Sequence, residues 1–278
     1  MLGLRPSEYW QTYLPEKTIL PHGQYWIEKS LRCRVILMKF NELDKLKSEL
    51  DALRPLPAYT IKSLHEQLVL NWTYNSNAIE GNTLTLKETK VVLEGITIGG
   101  KSMIEHFEAI NHKEAIHYVE DIVNKKEQFS ERLIRNIHNL VLKKIDDKNA
   151  GVYRNQNVVI SGAEHTPPEH FKVQDEMQFL VDKYKKYNLH PIEMAARLHI
   201  DFVKIHPFID GNGRTARLLM NFELMRSGYL PVVIKAKDRL AYYEALDTAY
   251  TKGDYSFFIE ITANAEVEIL NNYLKLLS

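Results

Sequence analysis

HPFIDGNGR, residues His206 to Arg214, sets a histidine, an acid, an asparagine, two glycines and an arginine side by side. The segment before it, PIEMAARLHIDFVKI, carries Ile192, Ala195, Leu198, Phe202 and Ile205 on one face, which predicts an amphipathic helix docked on a core. Pro207 disfavours the α conformation at His206, so that helix should end there, at the mouth of a turn. Beyond the turn, RTARLLMNFELMRSG places Leu218, Phe222 and Met225 inward and stops at Gly228. A second helix is therefore expected from near Asn212 or Gly213.

Helical spacing extends outward from this pair. Ile61, Leu64, Leu68 and Trp72 recur at intervals of three and four, up to a stop at Gly81-Asn82. Thr85 and Glu88 have capping-box spacing and open a further helix toward Glu94. MIEHFEAINHKEAIHYVEDIV reads as another, Ser130 starts one more, and helices resume at about Val173 and at Pro191. Only GVYRNQNVVISGAEHTPPE has β character, and Val158, Val159, Ile160 and Ser161 are expected in a small hairpin flap. The fold class expected is all-α with that flap. The breaker Arg54-Pro55-Leu56-Pro57 divides an N-terminal helical extension, 1–58, from the main domain, 59–278.

The loop between the two central helices suits an anion. The first amides of a helix lack intrahelical acceptors, and the helix dipole favours negative charge beside them. Gly211 and Gly213 admit a phosphate close to the backbone. Arg214 and Arg217, three apart, share a face and offer forked donors. Asp210 is a hard oxygen ligand suited to Mg²⁺ bridging phosphates. His206 can take a proton from an incoming hydroxyl. Singly these are ordinary turn and helix residues; together they point to phosphoryl or nucleotidyl transfer.

The same nine residues match the signature HPFx(D/E)GN(G/K)R of the Fic family, and Arg217 supplies the second arginine often found three positions on. Ser76-Asn-Ala-Ile-Glu80-Gly81 resembles that family's inhibitory pattern (S/T)xxxE(G/N), and GVYR with VVISG is similar to its flap. The resemblance covers about residues 60 to 275, with an inhibitory helix at about 60–81 and a core at about 83–275.

It implies adenylylation, the transfer of AMP from ATP to a Ser, Thr or Tyr hydroxyl of a target protein, with Mg²⁺ or Mn²⁺ as cofactor. By this resemblance His206 is the general base and Asp210 the metal ligand. Asn212 donates to the α-phosphate, Gly211 and Gly213 line the anion hole, and Arg214 and Arg217 hold the β and γ phosphates. Tyr242 and Tyr243 resemble an aromatic pair near the adenine, with core packing as the competing reading, while Tyr250 falls where similar enzymes carry asparagine. Glu80 is expected to pair with Arg217 and act as an inhibitor in cis, with Ser76 beside it; relatives use the same glutamate in AMP removal. Autoadenylylation and a homodimer are further expectations.

Other classes compete. Gly95 to Ser102 satisfies the expression GxxxxGK(S/T), but a helix rather than a buried strand precedes it, so an interhelical turn with a solvated Lys101 is expected. A non-catalytic nucleotide- or partner-binding module would need neither base nor metal ligand, and a Fic-type protein kinase would carry lysine in place of Gly213. His199 and His206 lack a metal-hydrolase ligand set, and His199 is read as packed or solvated. Lys plus Arg (36) balances Asp plus Glu (36), so no basic field invites nucleic acid. The single Cys33, no apolar run of membrane length and no leader pattern suggest a cytoplasmic protein with no membrane partner.

Overall fold

The computed structural model describes residues 23–277 and is helical, with ten α-helices among the described residues. They are α1 (Gly23–Ala52), α2 (Ala58–Ile79), α3 (Leu86–Leu93), α4 (Met103–Asn124) and α5 (Glu131–Leu142), then α6 (Val173–Lys186), α7 (Pro191–Ile205), α8 (Asn212–Arg226), α9 (Arg239–Lys252) and α10 (Ser256–Leu277). Residues 36–278 form one compact unit, and the first part of the expected N-terminal extension lies outside the described residues. No helix among the described residues is long and apolar enough to cross a membrane.

Local chemistry accounts for the helix ends. Thr85 and Glu88 form the expected capping box, and Ser130 accepts from the Leu133 amide. Pro191 occupies the first turn of α7, where its missing N–H costs nothing. Left-handed Gly228, φ 80°, follows the end of α8.

α7 and α8 are the most extensively packed pair, and α4, α5, α6 and α10 surround them. The expectation of an amphipathic α7 needs correction, because Glu193, His199 and Asp201 on its polar side are also buried. Neighbours pair the two carboxylates. Glu193 pairs with Arg197 at 2.7 Å, and Asp201 takes Lys183 and the Tyr255 hydroxyl, each at 2.6 Å. A helix enclosed on every side is a core element, and it gives whatever emerges at its C-terminus a rigid mount.

Two further expectations change. The flap has no strand: residues 157–160 are irregular, Ser161 and Gly162 turn, and Ile160 O accepts from Ala163 N. A two-stranded ribbon is marginal alone, and Pro167 and Pro168 on the return arm cannot donate to a ladder. Lys101 is not solvated; its Nζ donates to Thr83 O (2.6 Å) and Thr83 Oγ1 (2.9 Å). Gly95–Ser102 is the expected turn, following α3, and Ser102 caps α4 with Glu105 in a second capping box.

Candidate active site

The loop from His206 to Gly211 joins the two most buried helices. His206 caps α7 in the left-handed region, φ 50° and ψ 60°, so the chain turns at once instead of running on extended before Pro207. Such a conformation is uncommon for a side chain other than glycine, and surrounding bonds must hold it. Arg154 does so: its Nε donates to His206 O (2.9 Å), its amide donates to Pro207 O (2.9 Å), and its remaining guanidinium nitrogens reach Gln156 O and Pro168 O. One buried arginine thus ties both ends of the 156–168 segment to the turn.

His138, on α5, supports the loop from beneath. Its ring lies parallel to Phe208, with centroids 3.5 Å apart, and Nε2 meets Asp210 O at 2.8 Å. The Gly151 amide donates to Nδ1 at 2.9 Å, so Nδ1 carries no proton and Nε2–H is the donor to Asp210. Gly211, φ 74°, passes so near that a Cβ would sit 3.2 Å from this Nε2 and from Val141 Cγ1. Neither His138 nor Arg154 belongs to the nonapeptide.

Asn212 starts α8 and uses its whole side chain on the loop. Phe208 N donates to its Oδ1 (3.0 Å), and its Nδ2 donates to Phe208 O (2.9 Å). In this geometry its side-chain amide is committed to loop structure, not directed at a ligand. The first intrahelical bond runs from Thr215 N to Gly211 O (3.0 Å). The amides of Asn212, Gly213 and Arg214 therefore have no partner within the helix.

Against Gly213, in that first turn, sits Glu80. A Cβ on Gly213 would collide with Glu80 Oε1, so any side chain there would push the carboxylate aside. The carboxylate arrives because α2 ends at Ile79 and Glu80 caps it, followed by left-handed Gly81 at φ 101°. Arg217, 2% exposed, holds it: Nη2 donates to Glu80 Oε1 (2.7 Å) and Ser76 O (2.8 Å), Nε to Ser76 Oγ (3.0 Å), and Nη1 to Tyr242 OH (3.2 Å). The expected Glu80–Arg217 contact is present, and Ser76, expected beside it, bonds the same guanidinium. Arg214, also buried, pairs with Glu108 Oε1 (2.9 Å) and Asp210 Oδ2 (3.2 Å). Glu108 had no sequence signal; it lies 106 positions from its partner.

Tyr242 is buried, its hydroxyl between Arg217 and His199 Nε2 (3.1 Å). Tyr243 is 37% exposed, and its hydroxyl donates to Ile79 O (3.3 Å) at the end of α2. Tyr250 is buried against His165, ring centroids 5.0 Å apart. Val159 is 83% exposed, beside half-buried Val158 and Ile160 and exposed Ser161.

Burial holds the His206 imidazole down to about 4; the Val203 carbonyl and the carboxylates of Glu80 and Asp210 offset this in part, while Arg154 adds to it. The Val203 carbonyl does not complete a hydrogen bond of normal geometry with buried Nδ1. The ring is neutral at pH 7 and can accept a proton. Burial likewise depresses His112, His138, His190 and His199, His138 to about 4. The neutral forms are native, so the stability these rings contribute is full above about pH 6.5 and is lost as pH falls toward 4. Glu223 and Glu266, raised by burial, act in the opposite sense but are fewer. Urea unfolding should accordingly show a lower midpoint at pH 5 than at pH 7, and equal midpoints would contradict this balance.

Comparison with known proteins agrees with the site. Residues 128–224 match the family model described as Fic/DOC family. A Fic domain containing signaling protein from Bacteroides thetaiotaomicron superposes with a TM-score of 0.78 at 30% identity, covering 84% of this chain and 96% of that one. Fic-1 from C. elegans gives a TM-score of 0.81 at 28% identity, covering 92% and 78%. The protein adenylyltransferase Fic of Nematostella vectensis is 40% identical over 240 residues, 84% of this chain and 55% of that protein. The chain spans about half the length of such curated relatives. With the motif, the fold and a relative matched over nearly its full length in agreement, the chain belongs to the Fic/DOC family.

Proposed function

We propose that this protein transfers AMP from ATP to a hydroxyl of a target protein and that Glu80 restrains the reaction in cis. One observation carries the reading: a carboxylate of the protein's own lies against Gly213 in the first turn of α8, whose leading amides have no helical partner, and is clasped by Arg217. An anion already occupies the place where those amides and that guanidinium would receive phosphate oxygens. The names of the curated relatives support the chemistry.

In the proposed reaction the neutral His206 accepts the hydroxyl proton as the alcohol oxygen attacks the α-phosphorus, and pyrophosphate leaves. The amides of Asn212, Gly213 and Arg214 stabilise charge on the phosphates, and preorganised donors need no rearrangement to do so. Arg214 and Arg217 supply further donors once released from Glu108, Asp210 and Glu80. The Asp210 side chain, 64% exposed, offers a single carboxylate, which fits a magnesium or manganese ion held otherwise by phosphates and water. Such an ion would neutralise phosphate charge. Asn212 acts through the loop it locks, Tyr243 would border the base, and Tyr242 acts by positioning Arg217. The 157–160 segment, which forms no strand of its own, would align the target chain by strand addition.

Incubation with ATP labelled at either the α or the γ phosphate tests the reaction class. Label from the α position should become protein-bound, and label from γ should not; the reverse outcome would make the protein a kinase. Because Lys101 serves the Thr83 turn and an ion pair with Glu88, away from the candidate site, Lys101→Ala should leave α-label transfer within about twofold of wild type. Abolished transfer in that variant would restore the P-loop reading.

A further inference from the structure

At the other end of α2 from Glu80, a second group of side chains converges. His117 and Glu120 lie three apart on α4 and so share a face, and His65 of α2 reaches them across the packed pair of helices. Glu120 bridges the two rings: Oε1 meets His65 Nε2 at 2.6 Å, and Oε2 meets His117 Nδ1 at 3.1 Å. The ring centroids are 6.2 Å apart. One ligand atom from each residue lies within 4.8 Å of the others, so small side-chain rotations would bring all three onto a common centre.

The donors are two imidazole nitrogens and a carboxylate oxygen. That set suits zinc, cobalt, nickel or copper and not magnesium, which demands a shell of oxygen. Side-chain exposures of 41%, 49% and 23% for His65, His117 and Glu120 leave room for an ion to enter and for water to complete the coordination. None of the three contacts His206, Glu80 or the start of α8 in the interactions described above. We propose that His65, His117 and Glu120 bind a divalent transition ion of the zinc class, which staples α2 to α4. The helix so held is the one whose C-terminal end carries Glu80.

Co²⁺ is the probe, added to the chelator-treated full chain in excess Mg²⁺ so that oxygen-rich sites are saturated. The wild type should develop visible d–d absorption at one equivalent, bleached by Zn²⁺, and Zn²⁺ should raise its melting temperature by several degrees. His117→Ala removes an exposed ligand with little risk to folding and should weaken Co²⁺ binding about tenfold or more, as should Glu120→Gln. His206→Ala should bind as wild type does. Absence of the absorption, equal affinity in wild type and His117→Ala, or loss only in His206→Ala would overturn the assignment. These readouts do not depend on transfer activity, so they stand apart from the proposed function.

Discussion

Glu80→Gly is expected to raise self-adenylylation about ten- to a hundredfold. The Glu80 carboxylate is charge-paired with Arg217 beside Gly213, and charge-assisted hydrogen bonds of this kind contribute roughly 1.5 to 3 kcal/mol. Each 1.4 kcal/mol is about a factor of ten in an equilibrium, so removing the competing anion would raise the productive nucleotide population by that order. The substitution leaves the rest of α2 in place, because Gly81 already terminates the helix and Ser76 still bonds Arg217. Incorporation of α-label into the protein itself is the measurement. A rise below about twofold would remove the brake from the account.

His206→Ala, made in the Glu80→Gly background, should slow transfer by about 10²- to 10⁴-fold, the usual contribution of a positioned general base. Alanine is strained at φ 50°, so His206→Asn, which tolerates the left-handed backbone, is the companion variant. Both should lose the rate while circular dichroism and melting remain near wild type. Since burial holds this imidazole down to about 4, the step it serves should be insensitive to pH between about 6 and 8 and should fail only in acid. Undiminished transfer in both variants would exclude His206 from the proton step.

Much of the candidate site was legible because its parts are close in sequence. The turn at His206, the α8 start at Asn212 and the capping boxes follow from proline sterics and side-chain-to-amide bonds a few residues long. The family pattern around Glu80 pointed across 137 positions to Arg217, and the contact is there. Less legible were the residues that hold the loop. His138 reaches Asp210 across 72 positions and Arg154 reaches His206 across 52, and an isolated histidine or arginine in a sequence carries no mark of its partner. Asn212 carries the clearest lesson, since its place in the motif suggested a phosphate donor while its side chain is closed onto Phe208.

Between Ile61 and Gly228 the sequence by itself determined the helices and the glycine-bearing loop, because hydrophobic period and backbone sterics act within a few residues. It also bounded the chemistry to an anion-binding turn with a base at its rim. Only the tertiary structure decided which buried charge faces which, that α7 is enclosed on all sides, and that the flap segment lacks a ladder. Those outcomes depend on how distant segments return to one another and on the need to pair every charge taken out of water. No local pattern encodes that pairing.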